Sequence, residues 1–335
     1  MLNTQVCLAS RPAGIPQAEH FSIRQAEVPT LRDGQFLVRN DFLSVEPAMR
    51  GWVSAVANYS TPVAIGEVMR SFTAGEVVAS KHPQYAGGDK VMGMLGWQSH
   101  AVADPTMVTR KVRETDLPLS LSLGILGLNG VTAYFGMLEL GRPKPGDTVV
   151  VSTAAGAVGS AVGQIAKLNG CRTVGIAGGP AKCKACVTDF GYDAAIDYKA
   201  ANFKDQFAAA TSNGVDVYFD NTAGAISDGV LTRLATGARI VICGTASIAS
   251  WDPPPMGPRV ERHILVKRAT MSGLLIFDYA HRYEEAVARL AAWVRAGKFA
   301  YREDILDGIE ACPGAIASLY RGENSGKLLV RVRHG

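Results

Sequence analysis

The pattern of apolar and polar positions changes near residue 120. Before this point, apolar residues come in short β-branched or alternating runs, such as 35–40 and 75–79, with no regular helical period. Beyond it, apolar runs alternate with helical segments. The runs lie at 148–152, 172–177, 216–220, 239–243 and, after a helical segment at 283–296, at 327–332. Strands that alternate with helices predict right-handed crossovers and a parallel sheet.

One stretch, 117–138, carries no charge over 22 residues and is long enough to span a bilayer. It contains Pro118, Asn129 and four glycines, so we expect a buried helix at an interface. The six cysteines are too few for a disulfide scaffold, and the first residues lack the basic and apolar regions of a signal peptide. We therefore expect a reducing, cytoplasmic setting and no membrane partner.

Composition excludes several classes of protein. A chain of 335 residues is too long for one core of ordinary size, so two domains, or one with a large insertion, are expected. Hydrophobic residues make up 47% and charged residues 19%, as in a globular enzyme and unlike a disordered chain. The net charge of +4 comes without a run of like charges, so nucleic acid is not expected as a partner.

A glycine-containing turn follows the strand at 148–152. Residues 154–159 read Ala-Ala-Gly-Ala-Val-Gly, a variant of the dinucleotide fingerprint, and open into a helix predicted at 157–168. Gly156 would let the backbone approach a pyrophosphate, Gly159 would let the helix pack on the strand, and the helix start would offer free N–H groups. The alternative is a tight turn needed only for packing, which the order of strand, turn and helix disfavours.

The end of the second strand bears on the choice of cofactor. An NAD site usually has an acidic residue there for the ribose 2′-hydroxyl, whereas residues 177–182 read Ala-Gly-Gly-Pro-Ala-Lys. The glycines leave room, and Lys182 can bind a 2′-phosphate as a point charge. A lysine at a helix start is by itself more often only solvated, but the missing acid favours NADP.

The side chains needed for other chemistries are missing from the sequence. The histidines are scattered, and neither a catalytic nor a four-cysteine zinc site can be assembled, so no metal is expected. Cys183 and Cys186 form a Cys-x-x-Cys within a predicted helix, where packing is a better interpretation than redox chemistry. Hydride transfer needs neither metal nor nucleophile, because the cofactor carries the chemistry.

Several segments together resemble a known family. They are the turn above, 127–136, 174–178, 218–221 and 322–327. Nearly end to end, the chain is similar to the zinc-independent medium-chain dehydrogenase/reductases, in the branch of leukotriene B4 dehydrogenase/prostaglandin reductases, plant double-bond reductases and bacterial curcumin reductase. The resemblance implies an α/β fold, with a GroES-like, β-rich catalytic domain at 1–120 and 298–335 and a doubly wound Rossmann domain at 121–297. It also implies NADP(H) as the cofactor and a homodimer.

The resemblance further implies which residues contact the cofactor. Those assigned to the pyrophosphate are Gly156, Ala157, Val158 and Gly159. Those assigned to the 2′-phosphate are Lys182 and Tyr198. Those assigned to the ribose and nicotinamide end are Asn221, Cys243, Gly244, Thr245, Leu274, Leu275, Ile276 and Asn324.

Two departures from the family pattern affect the chemistry. Relatives often have Asp-Pro-Tyr-Met-Arg-Gly where this chain has Glu-Pro-Ala-Met-Arg-Gly at 46–51, and a tyrosine where it has Ala249. With Ala48 and Ala249 in place of the two tyrosines, the ribose 2′-hydroxyl of the cofactor is the first candidate for the donor to the oxyanion. Tyr59 and Tyr279 are the protein candidates, although each is better interpreted as a pocket wall.

The sequence thus predicts an NADPH-dependent reductase of the carbon–carbon double bond in α,β-unsaturated aldehydes and ketones, with hydride passing to the β-carbon. The alternative enzyme is an NADPH quinone reductase of the same superfamily. The two missing tyrosines also leave open a non-catalytic NADPH-binding sensor or structural protein. Turnover of an enone would separate the enzymes from the sensor.

Overall fold

The computed structural model describes residues 1–55, 60–248 and 253–334. By its internal contacts the chain divides into two compact units. Unit 1 combines Met1–Gly124 with Glu303–Gly335, and unit 2 is Ile125–Arg302. The sequence-based boundaries were 120 and 298.

The N-terminal segment of unit 1 consists mainly of short strands. They are β1 (Leu2–Leu8), β2 (Phe21–Glu27), β3 (Phe36–Ser44), β4 (Thr73–Ser80), β5 (Lys90–Gly93), β6 (His100–Ala103) and β7 (Val108–Lys111). The only α-helical turn described in this segment is α1 (Met49–Trp52). The strands predicted at 35–40 and 75–79 are confirmed as β3 and β4, each somewhat longer than expected.

Unit 2 alternates strands and helices. Its strands are β8 (Thr148–Ser152), β9 (Arg172–Ala177), β10 (Ala194–Asp197), β11 (Val215–Asp220), β12 (Leu234–Ile242) and β13 (Thr270–Gly273). Its helices are α2 (Leu128–Phe135), α3 (Ala157–Leu168), α4 (Pro180–Thr188), α5 (Phe203–Ala210), α6 (Gly224–Leu231), α7 (Glu261–Lys267) and α8 (Tyr283–Arg295).

The six strands of unit 2 form one parallel sheet in the order β10-β9-β8-β11-β12-β13. This order reverses direction between β8 and β11, which makes the sheet doubly wound and creates a topological switch point there. All five residues of β8 are buried, as expected for a strand covered on both faces. The predicted parallel sheet is therefore confirmed.

The uncharged stretch 117–138 does not form the single buried helix that was expected. A 3₁₀ helix at Leu119–Leu123 is followed by α2 and then by a π-helical turn at Gly136–Gly141. Pro118 and Gly124 interrupt the helical pattern, because neither favours a helix interior. Within the described residues, no helix is both long and apolar enough to cross a membrane.

The C-terminal segment returns to unit 1. It contains β14 (Glu303–Asp307), α9 (Cys312–Arg321) and β15 (Lys327–Arg331). Strand β15 pairs with β14 in parallel and with β3 in antiparallel orientation, and it thereby completes a sheet in the order β14-β15-β3-β4-β5-β7. The ends of the chain are thus joined by backbone pairing.

A buried ion pair reinforces this junction in unit 1. Lys327, the first residue of β15, places its Nζ 2.7 Å from Oε1 of Glu46 and donates to the carbonyl of Val45 at 3.0 Å. Burial lowers the pKa of Lys327, and the Glu46 carboxylate opposes this shift. The pair therefore fixes the segment after β3 to the start of β15.

Candidate dinucleotide site

Every predicted cofactor-binding residue described in unit 2 follows the carboxyl end of a strand in the parallel sheet. They are Gly156–Gly159 after β8, Lys182 after β9, Tyr198 after β10, Asn221 after β11, Cys243–Thr245 after β12 and Leu274–Ile276 after β13. The carboxyl ends of parallel strands meet at one edge of a sheet, where open α/β sheets bind their ligands. The topology therefore brings these residues to one edge.

The turn between β8 and α3 has the close packing that requires glycine. A Cβ atom added to Gly159 would lie 2.9 Å from the Cα of Ala154 and against the carbonyl of Thr153, so only glycine lets α3 start this close to the strand. Thr153 itself has a positive φ of 54°. Gly156 occupies the N-cap position and has no side chain to cap the helix. The first N–H groups of α3 are therefore left for another acceptor, which fits a pyrophosphate.

The loop after β9 is open and is shaped by the loop after β10. Gly179 has a φ of 92°, and no atom lies within 4 Å of a Cβ added there. A Cβ on Gly178 would be 3.0 Å from the ring of Tyr198. The Oδ1 of Asp197 accepts hydrogen bonds from the backbone N–H groups of Gly179 and Lys199, both at 2.9 Å, and the first of these is the main cause of the lowered pKa of Asp197. These hydrogen bonds to Asp197 hold the loops after β9 and β10 in positions that leave the space beside Gly179 open.

Lys182, the third residue of α4, lies half-buried beside this space. Burial lowers the pKa of Lys182, and the positive charge of Lys199 lowers it further. Lys182 forms no ion pair with any residue in the described part of the chain. A phosphate dianion bound here would offset both effects, because it would supply the missing counter-charge.

Hydrogen bonds at the switch point join the ends of β8 and β11. The hydroxyl of Ser152 donates to Oδ1 of Asp220 at 3.2 Å and accepts from the backbone N–H of Asn221 at 2.8 Å. The side-chain amide of Asn221 donates to the carbonyl of Ser152 at 2.7 Å. These contacts fix the amide of Asn221 beside the start of the turn between β8 and α3.

The loops after β12 and β13 continue the same edge. The backbone N–H groups of Cys243 and Gly244 donate to the carbonyl of Asp220 at 2.8 and 3.1 Å, and Leu274 N–H donates to Ile242 at 2.9 Å. Burial, and then the charge of Asp220, raises the pKa of the Cys243 thiol to about 12. The thiol therefore stays protonated at neutral pH and can contribute packing but not a nucleophile.

The Cys-x-x-Cys segment behaves similarly. Both cysteines lie within α4, as predicted, and burial raises the pKa of each thiol, to about 12 for Cys186. Because the thiolate is the reactive form, these shifts support the packing interpretation.

Two predicted residues remain, one in unit 1 and one farther along the segment that follows β13. Asn324 is in unit 1, between α9 and β15, where its side-chain amide donates to the carbonyl of Gly326 at 2.7 Å. Tyr279 lies in the 3₁₀ helix Ile276–Arg282, and its ring stacks on Phe135 with 4.6 Å between centroids.

The substitutions that distinguish this chain from its family are only partly described. Ala48 caps the start of α1 with helical backbone angles. Tyr59 and Ala249 lie outside the described residues. Among the residues that are described, no group of three or more His, Cys, Asp or Glu side chains could hold a metal ion.

Sequence reasoning missed Ser152, Asp197 and Asp220 as parts of this edge. Asp197 and Asp220 each end a strand of the parallel sheet, and Asp220 follows four residues of which three are apolar. The sequence did contain a signal for these residues. Each is a polar residue at the end of a strand, at the predicted carboxyl edge of the sheet.

Comparison with known proteins agrees with this geometry. The family model described as "N-terminal domain of oxidoreductase" matches residues 4–111, and the one described as "Zinc-binding dehydrogenase" matches residues 157–292. The chain is 42% identical to an NADPH-dependent curcumin reductase of Escherichia coli, over 98% of this chain and 97% of that protein. It is 35% identical to an NADP(+)-dependent 2-alkenal reductase of Nicotiana tabacum, with the same coverage. The crystal structure of CurA in complex with NADPH from Vibrio vulnificus is 43% identical, with a TM-score of 0.93 over 99% of this chain and 100% of that one.

The geometry around Lys182 generates a prediction. Lys182→Ala should raise the Michaelis constant for NADPH at least about 10-fold and leave that for NADH nearly unchanged, because only NADPH has a 2′-phosphate. Steady-state kinetics with both cofactors measures this. Lys184→Ala, an exposed lysine of the same helix, is the matched control and should change neither constant. Equal increases for both cofactors in Lys182→Ala would contradict the assignment.

Proposed function

We propose a function on the premise that this chain belongs to the zinc-independent branch of the medium-chain dehydrogenase/reductase family and is an NADP-dependent oxidoreductase. Its proposed reaction is the reduction of the carbon–carbon double bond in α,β-unsaturated aldehydes and ketones, with hydride delivered to the β-carbon. The observation that carries this proposal is the end-to-end similarity to a curcumin reductase and a 2-alkenal reductase. Curcumin and 2-alkenals both contain a carbon–carbon double bond conjugated to a carbonyl group.

The residues of unit 2 fit the cofactor in three respects. The first amides of α3 are uncapped, Gly179 leaves open space beside the backbone, and Lys182 forms no ion pair with any described residue. When bound there, NADPH would supply the hydride. The proposed roles of the chain are to hold the pyrophosphate at Gly156–Gly159, the 2′-phosphate at Lys182 and Tyr198, and the nicotinamide end beside Asn221, Cys243–Thr245 and Leu274–Ile276. Asn324 is proposed for the same end on the resemblance alone.

Negative charge develops on the carbonyl oxygen of the substrate during this reaction and requires a hydrogen-bond donor. The ring of Tyr279 stacks on Phe135, which is fully buried, so its packing accounts for its position. We therefore propose that Tyr279 forms a wall and that its hydroxyl is not the essential donor. The other candidate, Tyr59, is tested by Tyr59→Phe, in the same way as Tyr279 below.

One panel of substrates tests the proposed function. Purified protein should oxidise NADPH in the presence of enones and enals, and it should do so faster than with quinones, as followed by absorbance of the reduced nicotinamide. Activity should survive exhaustive chelation, because no zinc ligand set is expected. Preference for quinones would favour the quinone reductase, and turnover of no substrate in the panel would favour the NADPH-binding sensor. Stoichiometric zinc, with activity lost on its removal, would contradict the metal-free mechanism.

The role of Tyr279 gives a second test. Tyr279→Phe keeps the stacked ring and removes one hydroxyl, so we expect turnover to fall by less than about 10-fold, whereas loss of an essential oxyanion donor costs about 100-fold or more. Turnover of an enone at saturating NADPH is the measurement. Tyr301→Phe, at a half-exposed ring of the same unit, is the control. A collapse of turnover with NADPH affinity intact would assign the donor to Tyr279.

We also propose that the protein is a homodimer that associates through β13. This strand is the last in the order of the described sheet, and nearby apolar side chains are exposed: Leu265 by 77%, Val266 by 54% and Met271 by 39%. An exposed strand edge with apolar neighbours favours pairing with a second copy, and a twofold axis would make the contact self-complementary.

A charge on this edge should prevent the association. Met271→Lys is expected to convert a dimer into a monomer, because pairing of the two copies would bring the lysines into an apolar contact. Light scattering after size exclusion gives the mass. Leu168→Lys, at an exposed apolar residue that ends α3, should leave the dimer intact. A wild-type protein that is a monomer at micromolar concentration would refute the proposed homodimer.

A further inference from the structure

The carboxylate of Asp220 is the most heavily hydrogen-bonded side chain at the carboxyl edge of unit 2. Asp220 is 1% exposed. Its Oδ1 accepts from the backbone N–H groups of Thr222 and Ala223, both at 2.9 Å, and from the hydroxyls of Tyr218 at 3.0 Å, Ser152 at 3.2 Å and Thr222 at 3.3 Å. Its Oδ2 accepts from the hydroxyl of Ser227 at 2.5 Å.

Both carboxylate oxygens of Asp220 act as acceptors in these contacts. Backbone N–H groups can only donate, so the two backbone contacts leave Oδ1 no other role. Within the described part of the chain, no Lys, Arg or His side chain forms an ion pair with Asp220. Hydrogen-bond donors solvate the carboxylate but carry no net charge, so its negative charge is not cancelled and its field persists in the surrounding low-dielectric interior.

The carboxylate of Asp220 lies on the side of the sheet where one half of a bound dinucleotide would lie. Asp220 ends β11 and is bonded to Ser152 at the end of β8, so it lies at the switch point. A dinucleotide bound across a switch point places its pyrophosphate at the first helix and its two halves on opposite sides. Lys182 lies on the β9 side, which leaves the β11 and β12 side for the nicotinamide. Asp220 is close to this side, since its carbonyl accepts from the backbone N–H groups of Cys243 and Gly244 at 2.8 and 3.1 Å.

The two redox forms of the cofactor differ in charge at that half. In the reaction, the C4–H bond of the reduced ring breaks with both electrons, and the β-carbon of the enone gains the hydrogen and the electron pair. The ring is left with a positive charge, and a proton from solvent completes the product at the α-carbon. The phosphates carry the same charge in both forms. A fixed negative charge therefore changes the difference in binding energy between the two forms only through its interaction with the ring.

We propose that Asp220 is a positioning residue whose buried charge stabilises the oxidised, cationic nicotinamide relative to the reduced one and thereby favours hydride donation. This inference rests on the NADP(H) site of the proposed function. Asp220 acts in two ways: it fixes Ser152 and Asn221 by hydrogen bonds, and it sets the preference between redox forms by its charge.

Asp220→Asn separates these two effects. The new amide oxygen can take the place of Oδ1 and keep its donors. The amide NH₂ then replaces Oδ2 and donates to Ser227, whose hydroxyl can turn toward the hydroxyl of Tyr218, 3.0 Å away. The variant therefore loses the charge and can keep the hydrogen bonds to the donors of Oδ1 and to Ser227.

Dissociation constants measured by calorimetry, in the absence of any enone, provide the test. We expect the ratio of the constant for NADP⁺ to that for NADPH to rise about 5-fold in Asp220→Asn, because a unit charge is removed near the ring. Asp216→Asn is the matched control. It removes a carboxylate from the same strand, roughly 13 Å away at the opposite edge, where Asp216 accepts from the N–H of Thr148 at 2.8 Å. Its ratio should equal that of the wild type.

A second variant tests the charge independently, even if Asp220→Asn fails to fold. Ser227→Ala keeps the carboxylate and removes one donor, so the ratio should stay at or below the wild-type value. An unchanged ratio in Asp220→Asn, with both constants raised equally, would reduce Asp220 to a structural role and overturn the proposal. A rise of the ratio in Ser227→Ala would overturn it as well. Because no substrate is present, failure to reduce enones does not affect the outcome.

Discussion

The parallel pairing of six strands in unit 2 is the constraint on which the candidate site depends. Parallel register places every carboxyl end at one edge, so six loops from distant parts of the sequence converge there. The sequence supports this pairing with short apolar strands, and β8 is buried at every position. The reversal of strand order between β8 and β11 then opens the edge at one point. The sheet therefore positions the candidate site, and the side chains of the loops determine its local contacts.

The polar groups at this edge are stable only because they are satisfied together. Burying Asp220 costs desolvation energy, and hydroxyl and backbone donors offset that cost. The same network immobilises Ser152 and Asn221, since each of its members holds the next. Two glycines contribute because they lack a side chain. At Gly159 this permits the close approach of α3 to the strand, and at Gly179 it leaves open space.

Local patterns in the sequence predicted much of unit 2. The strand at 148–152 and the helix at 157–168 have the predicted bounds, because a buried apolar run, a glycine turn and an amphipathic helix are all local signals. The stretch 117–138 was predicted wrongly as one helix, since the effect of Pro118 and Gly124 was underestimated. The role of Asp220 was not predictable, because its partners on β8 and α6 are separated from it in sequence and meet only through the fold.

The charges proposed for the two sides of the switch point would act on different properties of the same ligand. Lys182 follows β9 and Asp220 ends β11, and two strand spacings, roughly 10 Å, separate the ends of these strands. At such a distance, effects on binding energy add with little coupling. Under the two proposals, a change at Lys182 would alter selection of the 2′-phosphate without altering the preference between redox forms, and a change at Asp220 would do the reverse. In a doubly wound sheet, a bound dinucleotide extends across several strands. The residues that follow two of these strands can differ in charge independently, so each can affect a different part of the ligand.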